Sequence, residues 1–366
     1  MPLLGKLRST RRRYLMALDR VRFRREALRK ASLSYPPRHV TVAISSACRN
    51  RCVFCTYHSE DARNGASNVY GLRYRMSLQQ FQRIVDTCYR GRVPEVHVCA
   101  TGEPFLHPQI LQVLDSAIRV YGRVSLQTNL ERRVFERGDF LNEILRRKDD
   151  ISYITTDLLS GDPAVHERLK KGSSYEDVLG AMEYISARSD IPFEAHYLLT
   201  KLNYEHMGEL IGDLARRRIK CHLAIVNLHA HGFNEFTALD IVYTSRDQHI
   251  TAALQQAQVV GREKGIVVHV PPPADRGRGI CLSFWTRLQV WPVKGVDEDR
   301  YAENVIVGGC NAVVLGNLRS LGYFFDYDDI MDLWNNEHFM RIRADLLCGK
   351  FPDEACSSCP TYRPPY

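Results

Sequence analysis

Between residues 39 and 235 short apolar runs alternate with longer stretches of helical periodicity. Val40–Ser45, Glu95–Ala100, Val124–Thr128, Ile151–Thr156, Phe193–Leu199 and His222–Asn227 are rich in β-branched and aromatic residues and read as strands. Between them apolar positions recur every three or four residues: Phe81, Ile84, Val85 and Cys88; Ile110, Val113, Leu114 and Ile118; Val178, Ala181, Met182 and Ile185. That spacing lines one face of a helix. Ser77 and Gln80, at the head of the first stripe, form a capping-box pattern. Six strands separated by helices predict an α/β fold with a parallel sheet and helical crossovers. A partial (β/α)6 TIM-like barrel fits, with about three-quarters of the strands of a closed one.

Two stretches break the pattern. Residues 56–76 are rich in Asn, Gly, Ser and Arg, and so long a loop reads as a functional lid or a disordered segment. Pro271-Pro272-Pro273 followed by Arg276-Gly277-Arg278-Gly279 reads as a stiff, then flexible, linker. The expected organisation is a basic helical arm over 1–38, a core over 39–235, a bridging segment over 236–278 and a C-terminal region over 279–366.

With 366 residues, 45% hydrophobic and 25% charged, the chain can bury a substantial core. No run approaches the ~18 apolar residues of a membrane span. The N-terminus has no apolar signal core, so the expected location is cytoplasmic. The net charge is +8, and Arg11, Arg12, Arg13, Arg20, Arg22, Arg24 and Arg25 supply much of it. A run this dense reads as a solvated helix face, with docking to an acidic partner, RNA or an anionic surface as the other readings. No RNA-binding module accompanies it, so a nucleic-acid partner is not indicated.

Eleven cysteines are many for a reducing compartment, where clustered thiols point to metal or cluster ligation. Cys88, Cys99 and Cys221 lie in apolar stretches and read as small buried hydrophobes. Cys48, Cys52 and Cys55 directly follow the first strand. Three thiolates on one loop can hold three irons of a [4Fe–4S] cluster and leave the fourth open, as catalytic metal sites require. Zinc, with His58 as a fourth ligand, is the competing reading.

Cys48-x3-Cys52-x2-Cys55, with Phe54 before the last cysteine, resembles the CxxxCxφC signature of the radical S-adenosylmethionine (SAM) superfamily. The resemblance implies that Phe54 packs beside the adenine of SAM. Thr101-Gly102-Glu103-Pro104 is similar to the family's GGEP motif, which implies that Glu103 and the nearby backbone hold the SAM amino group. Thr128-Asn129 is similar to its TNG segment, with Leu130 in place of glycine. Thr155-Thr156-Asp157 resembles its SLD segment, near the SAM ribose and carboxylate. His166-Glu167-Arg168-Leu169-Lys170 resembles its HDxxR stretch and leaves Arg168 and Lys170 as two candidate cations for the SAM carboxylate. They are not equivalent, since Arg offers a fork and Lys a point charge. These motifs fall at C-terminal strand ends, where barrel enzymes assemble their sites. The resemblance further implies reductive cleavage of SAM to methionine and a 5′-deoxyadenosyl radical that abstracts a substrate hydrogen. It also implies a flavodoxin- or ferredoxin-type electron donor.

Cys281, Phe284-Trp285, Gly308-Gly309-Cys310, Leu315-Gly316-Asn317, Leu333-Trp334-Asn335, Arg341, Arg343 and Cys356-x2-Cys359 follow the order of the SPASM/twitch extension. That likeness implies one auxiliary [4Fe–4S] cluster on Cys281, Cys310, Cys356 and Cys359. Cys348 reads as a buried thiol, with a ligand or a hydrogen-atom donor as alternatives. An electron-accepting cluster implies a net two-electron oxidation, as in the twitch dehydrogenases that act on an aminocyclitol. The expected substrate is therefore a small polar metabolite such as a sugar or aminocyclitol. Two alternatives stand beside it: epimerisation with a thiol donor such as Cys99 or Cys221, and modification of a ribosomal peptide. The short basic stretch before the cysteine motif is poorly patterned for a peptide-recognition domain. A plain electron carrier would need no SAM-contact motifs. His196, Tyr197, Asn227, His229 and His231 end the fifth and sixth strands and are the candidates to face a substrate.

Overall fold

The computed structural model describes residues 2–55, 58–59, 74–227, 243–273, 281–291, 305–310, 321–352 and 356, with residues 2–11 and 306 described by backbone alone. Helix α1 (Pro2–Glu26) is followed by β1 (His39–Ala43), β2 (Arg51–Cys52), α2 (Leu78–Arg90), β3 (Val96–Cys99) and α3 (Ile110–Tyr121). Next come β4 (Val124–Gln127), α4 (Arg132–Gly138), α5 (Phe140–Arg146), β5 (Ile151–Asp157), α6 (Pro163–Leu169) and β6 (Lys170–Lys171). The chain continues through α7 (Tyr175–Ser186), β7 (Phe193–Leu199), α8 (Met207–Arg216), β8 (Cys221–Asn227), α9 (Gln248–Lys264) and β9 (Val267–His269). The C-terminal region adds α10 (Ser283–Thr286), β10 (Arg287–Trp291), β11 (Ile306–Gly308), α11 (Ile330–Trp334) and α12 (Glu337–Leu347).

Among the described residues nine strands form one sheet in the order β11-β10-β1-β3-β4-β5-β7-β8-β9. Every neighbouring pair is parallel except β10 with β11. All six strands expected from the periodicity form, in the expected order. Two further parallel strands flank them: β9 beyond β8, and β10 beside β1. The sheet therefore does not stop at residue 235, and it draws on both the bridging segment and the C-terminal region.

The two faces of the sheet follow from alternation along each strand. Val40, Val42, Val96, Val98, Val124, Leu126, Ala195, Leu223, Leu288 and Val290 are buried in one core cluster with Phe81, Ile84, Val85, Val113, Leu114, Val178 and Met182 of the helices. Each such Val or Leu contributes roughly 1.5–3 kcal/mol by leaving water. The opposite face carries Thr41, His97, Ser125, Glu194, His196 and Gln289. The capping box of α2 is complete: Gln80 N donates to Ser77 Oγ (3.1 Å), and Ser77 N donates to Gln80 Oε1 (2.9 Å).

The basic arm is docked along one side rather than wholly solvated. Arg12 donates to Tyr89 O (2.7 Å) and Val93 O (2.8 Å) and lies 4.0 Å from the Tyr89 ring centroid. Arg92 Nε donates to Asp19 Oδ2 at 2.8 Å. Arg13, Arg20, Arg24 and Arg25 remain exposed on the other side of α1. The expected loop over 56–76 and the glycine-rich part of the linker lie largely outside the described residues. No helix among the described residues is long and apolar enough to cross a membrane.

Candidate active site

The first cysteine loop is built against two partners. On one side residues 44–47 stay zipped to the end of β3: Ile44 N donates to Cys99 O (3.0 Å), Thr101 N to Ser45 O (3.0 Å) and Glu103 N to Ala47 O (2.7 Å). This approach is so close that a Cβ at Gly102 would lie 2.1 Å from Ala47 O and 2.9 Å from Cys48 Cβ. Glycine is thus required here by the cysteine loop itself. On the other side β2 pairs antiparallel with β6, setting Cys52 opposite Lys170, and Val53 N donates to Leu169 O at 3.0 Å. Cys55 N closes a turn onto Cys52 O (2.9 Å), with Phe54 half-buried inside it, and His58 N donates to Cys55 Sγ at 3.3 Å.

The three thiols lie within electrostatic reach of one another, and burial pushes Cys48 well up and Cys52 to about 12. Among the described residues no three Cys, His, Asp or Glu side chains close around one metal ion. Thiolates on three separate cluster irons stand further apart than ligands sharing one ion.

Glu103 is fully buried, and its oxygens are well used. Oε1 accepts from Phe105 N (3.0 Å) and Thr128 Oγ1 (2.8 Å), and Oε2 accepts from Asn129 N (2.6 Å). Pro104 opens the 3-10 turn that Glu103 caps. Thr128 Oγ1 in turn accepts from Leu130 N at 3.2 Å. Leu130, standing where the motif has glycine, adopts a left-handed φ of 55°, the conformation glycine takes without strain.

Of the two candidate cations, Lys170 is 1% exposed and donates to Asp157 O at 3.1 Å. Its charge reaches Cys52, Glu103 and Glu131. Arg168 lies on the exposed side of α6. Glu131 is a site residue that sequence reasoning missed. It is 6% exposed, Oε1 has no partner among the described residues, and burial, with Glu103 next, pushes its carboxyl to about 7. Nothing in the motif pattern marks it. Asn50 is likewise buried, with both side-chain polar atoms unpartnered among the described residues. A group offering an ammonium and a carboxylate suits this set of orphaned polar atoms, buried carboxylates and a buried lysine.

Behind the loop, the sheet face turned away from the helices forms a polar lining. Thr155 and Asp157 belong to it, register-matched to Glu194 and His196. His196 lies 2.8 Å (Nε2) from Glu194 Oε1 and 3.8 Å (Nδ1) from Asp157 Oδ1. His97 stacks on Tyr153 at 5.7 Å, its Nδ1 3.1 Å from Ser125 Oγ; burial first, and the neighbouring His196 next, lowers it to about 4. Gln289 Oε1 and Trp291 Nε1, on β10, are buried without partners among the described residues. The signal for this lining was present as polar residues at alternate strand positions. The expectation that Tyr197 faces a substrate is corrected: adjacent to His196, it must point to the other face, where it is buried in the core cluster. Asn227 is committed to Pro272 O at 2.9 Å, and His229 and His231 lie outside the described residues.

Cys281 and Cys310 adjoin the segments of β10 and β11 that lie toward the start of β1. Cys281 precedes α10, whose Thr286 O accepts from Arg38 N (2.9 Å), just before β1 begins. A Cβ on Gly309 would lie 2.6 Å from the Phe284 ring, so the backbone just before Cys310 runs beside the residue three positions after Cys281. Cys356 is buried in the core cluster, and Cys359 lies outside the described residues. Cys348, expected to be buried, is exposed, because it caps the last turn of α12 on its solvent side. Cys88, Cys99 and Cys221 are buried as expected.

A partly parallel nine-stranded sheet carrying a three-cysteine loop at a strand end defines a class, and residues 42–214 match the family model described as the Radical SAM superfamily. Residues 42–214 thus form a radical SAM superfamily domain. Among solved structures it is similar to Streptococcus suis SuiB bound to S-adenosylmethionine (TM-score 0.66, 15% identity, covering 91% of this chain and 77% of that one). It is also similar to SuiB bound to precursor peptide SuiA (TM-score 0.64, 15% identity, 90% and 71% covered). BtrN in complex with AdoMet and 2-DOIA aligns at a TM-score of 0.46 with 12% identity, covering 86% of this chain and 88% of that one. No curated protein sequence matches the chain.

Proposed function

We propose that this radical SAM enzyme dehydrogenates a small polar metabolite, with an auxiliary [4Fe–4S] cluster on Cys281, Cys310, Cys356 and Cys359 accepting an electron. The observation that carries the reading is a bracket. Cys48 follows the end of β1, Cys281 and Cys310 lie near its beginning, and the polar sheet face spans the interval. A five-residue strand covers about 13 Å, so a substrate on that face would lie between the two cysteine sets.

When bound, SAM and the first cluster supply a hydrogen-abstracting radical. Cys48, Cys52 and Cys55 would hold that cluster. Lys170 is suited to the SAM carboxylate, and the Glu103–Glu131 neighbourhood to its ammonium. Phe54, Thr128, Asn129, Thr155 and Asp157 line the remaining approach. His196, held between Glu194 and Asp157, is the group best placed to take up the proton that leaves as a C–H carbinol becomes a carbonyl. A flavodoxin- or ferredoxin-type protein is the proposed donor, and the cytoplasm the proposed compartment.

Epimerisation is the second reading, favoured by Cys99. Its thiol is on the same sheet face as His97, is 4% exposed, and is pushed by burial to about 12, so it keeps the S–H a hydrogen-atom donor needs. Peptide modification is the third outcome a substrate screen can return.

The test is anaerobic reconstitution with iron and sulfide. Cys48/Cys52/Cys55→Ala is expected to abolish 5′-deoxyadenosine formation yet retain about four irons per chain. Parent-rate cleavage by the triple variant would sink the first site, and loss of all iron the second. With deuterated sugars, aminocyclitols and short peptides, label in 5′-deoxyadenosine identifies the substrate class. Solvent deuterium in the product would favour epimerisation over dehydrogenation.

A further inference from the structure

A cavity of about 80 Å³ lies between α1 and the starts of three strands, and four arginines line it. Arg20 belongs to α1, Arg38 immediately precedes β1, Arg92 stands ahead of β3, and Arg123 immediately precedes β4. β1, β3 and β4 are parallel neighbours, so these arginines gather at one end of the sheet. The cysteine loop follows the opposite end of β1. The cavity is therefore separate from the candidate active site, and the proposed reaction makes no use of it.

The arginines outnumber the acids that answer them. Arg92 Nε donates to Asp19 Oδ2 at 2.8 Å, and Arg123 Nε lies 3.1 Å from Glu95 Oε2. Asp19 is shared with Arg22, whose Nη1 donates to Oδ1 at 3.1 Å. Among the described residues neither Arg20 nor Arg38 has a carboxylate partner. Arg38 is held instead by the Phe23 ring, its guanidinium carbon 4.9 Å from the centroid. Four cations against two carboxylates leave two positive charges in excess. The rest of the lining offers an anion little else: Met16 is apolar, Pro36, Pro37 and Pro94 have no N–H, and the Tyr35 hydroxyl donates to Trp285 O at 3.1 Å. Tyr35, Pro36 and Pro37 are buried, and the prolines fix φ, so the floor is rigid.

Guanidinium forks meet phosphate oxygens two at a time, in a geometry a point charge does not reproduce. A phosphoryl group carries about −1.5 to −2 charge at pH 7, which matches the excess, whereas one carboxylate would leave a cation unanswered. We infer that this cavity is a phosphate-binding site, taking either the free ion or the phosphoryl end of a phosphomonoester. The bound group ties Arg20 of the arm to the arginines of the strand starts and so fastens α1 to the sheet.

The test uses the full chain in buffer free of phosphate and sulfate. Calorimetric titrations with inorganic phosphate and with glycerol 3-phosphate are compared with chloride at equal ionic strength, and Tm is followed alongside. At least one of the two should bind saturably, at one per chain, and raise Tm. Tighter binding of glycerol 3-phosphate assigns a phosphomonoester, and the reverse order assigns the free ion. Arg20→Gln and Arg38→Gln should each weaken binding about tenfold, the loss expected for one hydrogen bond to a charged group. Arg25→Gln, on an exposed part of α1 outside the lining, should leave the affinity at the parent value. An effect that chloride reproduces, an affinity that survives both lining substitutions, or an equal loss in Arg25→Gln overturns the inference. If Arg38→Gln does not fold, Arg20→Gln decides alone, since that side chain is exposed and its change leaves the core intact.

Discussion

His166 gives the clearest residue-scale consequence. It is fully buried, Leu159 N donates to its Nδ1 at 3.2 Å, and Nε2 faces Ser173 Oγ at 3.4 Å, so the ring is neutral with its proton on Nε2. Burial first, then the Lys170 charge, lowers its pKa to about 3. The unfolded chain takes up a proton near pH 6.5, as an unperturbed histidine does, while the folded chain refuses it until far lower. Stability is therefore unaffected above about pH 6.5 and falls on acidification from there toward pH 3, by about 1.4 kcal/mol per unit. His166→Gln, which keeps an acceptor and a donor but does not titrate, should flatten that part of the decline. Urea unfolding at about pH 4.5 and about pH 7.5 checks this, and equal losses in parent and variant would dismiss it. The motif at 166–170 was legible in the sequence, but the choice between Arg168 and Lys170 was not. Arg168 ends up on the exposed side of α6, whereas Lys170 has left the helix for β6, whose pairing with β2 buries it. Leu130 was legible as a departure from glycine, and its left-handed φ shows that the backbone kept the motif's conformation without the motif's residue.

At the scale of elements, the six core strands were readable because each stands alone between helices of contrasting period. β9 and β10 have three and five residues and adjoin Pro- and Gly-rich segments, too short a run for alternation to announce them. Register was not readable either. Only the parallel pairing of β10, which follows Cys281, with β1, which precedes Cys48, sets those two cysteines toward opposite ends of the strand pair. Gly102 illustrates the difference. Its place in a motif was visible, but the reason for glycine, the contact with Ala47 O, belongs to two elements meeting. Gly102→Ala must push the cysteine loop away from the end of β3 and lose the bond from Glu103 N to Ala47 O. Forced overpacking of this kind costs about 1–3 kcal/mol, more where the obstacle is backbone. The expected outcome is a lowered urea midpoint in the iron-free chain and a reduced iron content after reconstitution. Parent values for both would show that the two segments can part freely.

At the scale of the whole molecule, one sheet unites regions that composition had separated, and the docked arm shows that dense positive charge need not mean a free tail. The same continuity joins the site's halves. Cys52 and Lys170 face one another across a pair of strands only two residues long. So short a clasp has little stability of its own, and it persists because Cys52 is held by its loop and Lys170 by the Asp157 carbonyl. Ordering either half makes the other cheaper to order, so on the proposed reading, with the cluster on the cysteine loop and the SAM carboxylate on Lys170, each group is an effector of the other. Linkage then requires that the factor by which iron loading tightens SAM binding equal the factor by which SAM tightens iron retention. Equilibrium dialysis of SAM with loaded and iron-free chain, set beside iron retention against a chelator with and without SAM, measures both. Lys170→Met, which removes the bond to Asp157, is expected to shrink the two factors together. A factor that survives this change undiminished would mean that the two ligands communicate by another route.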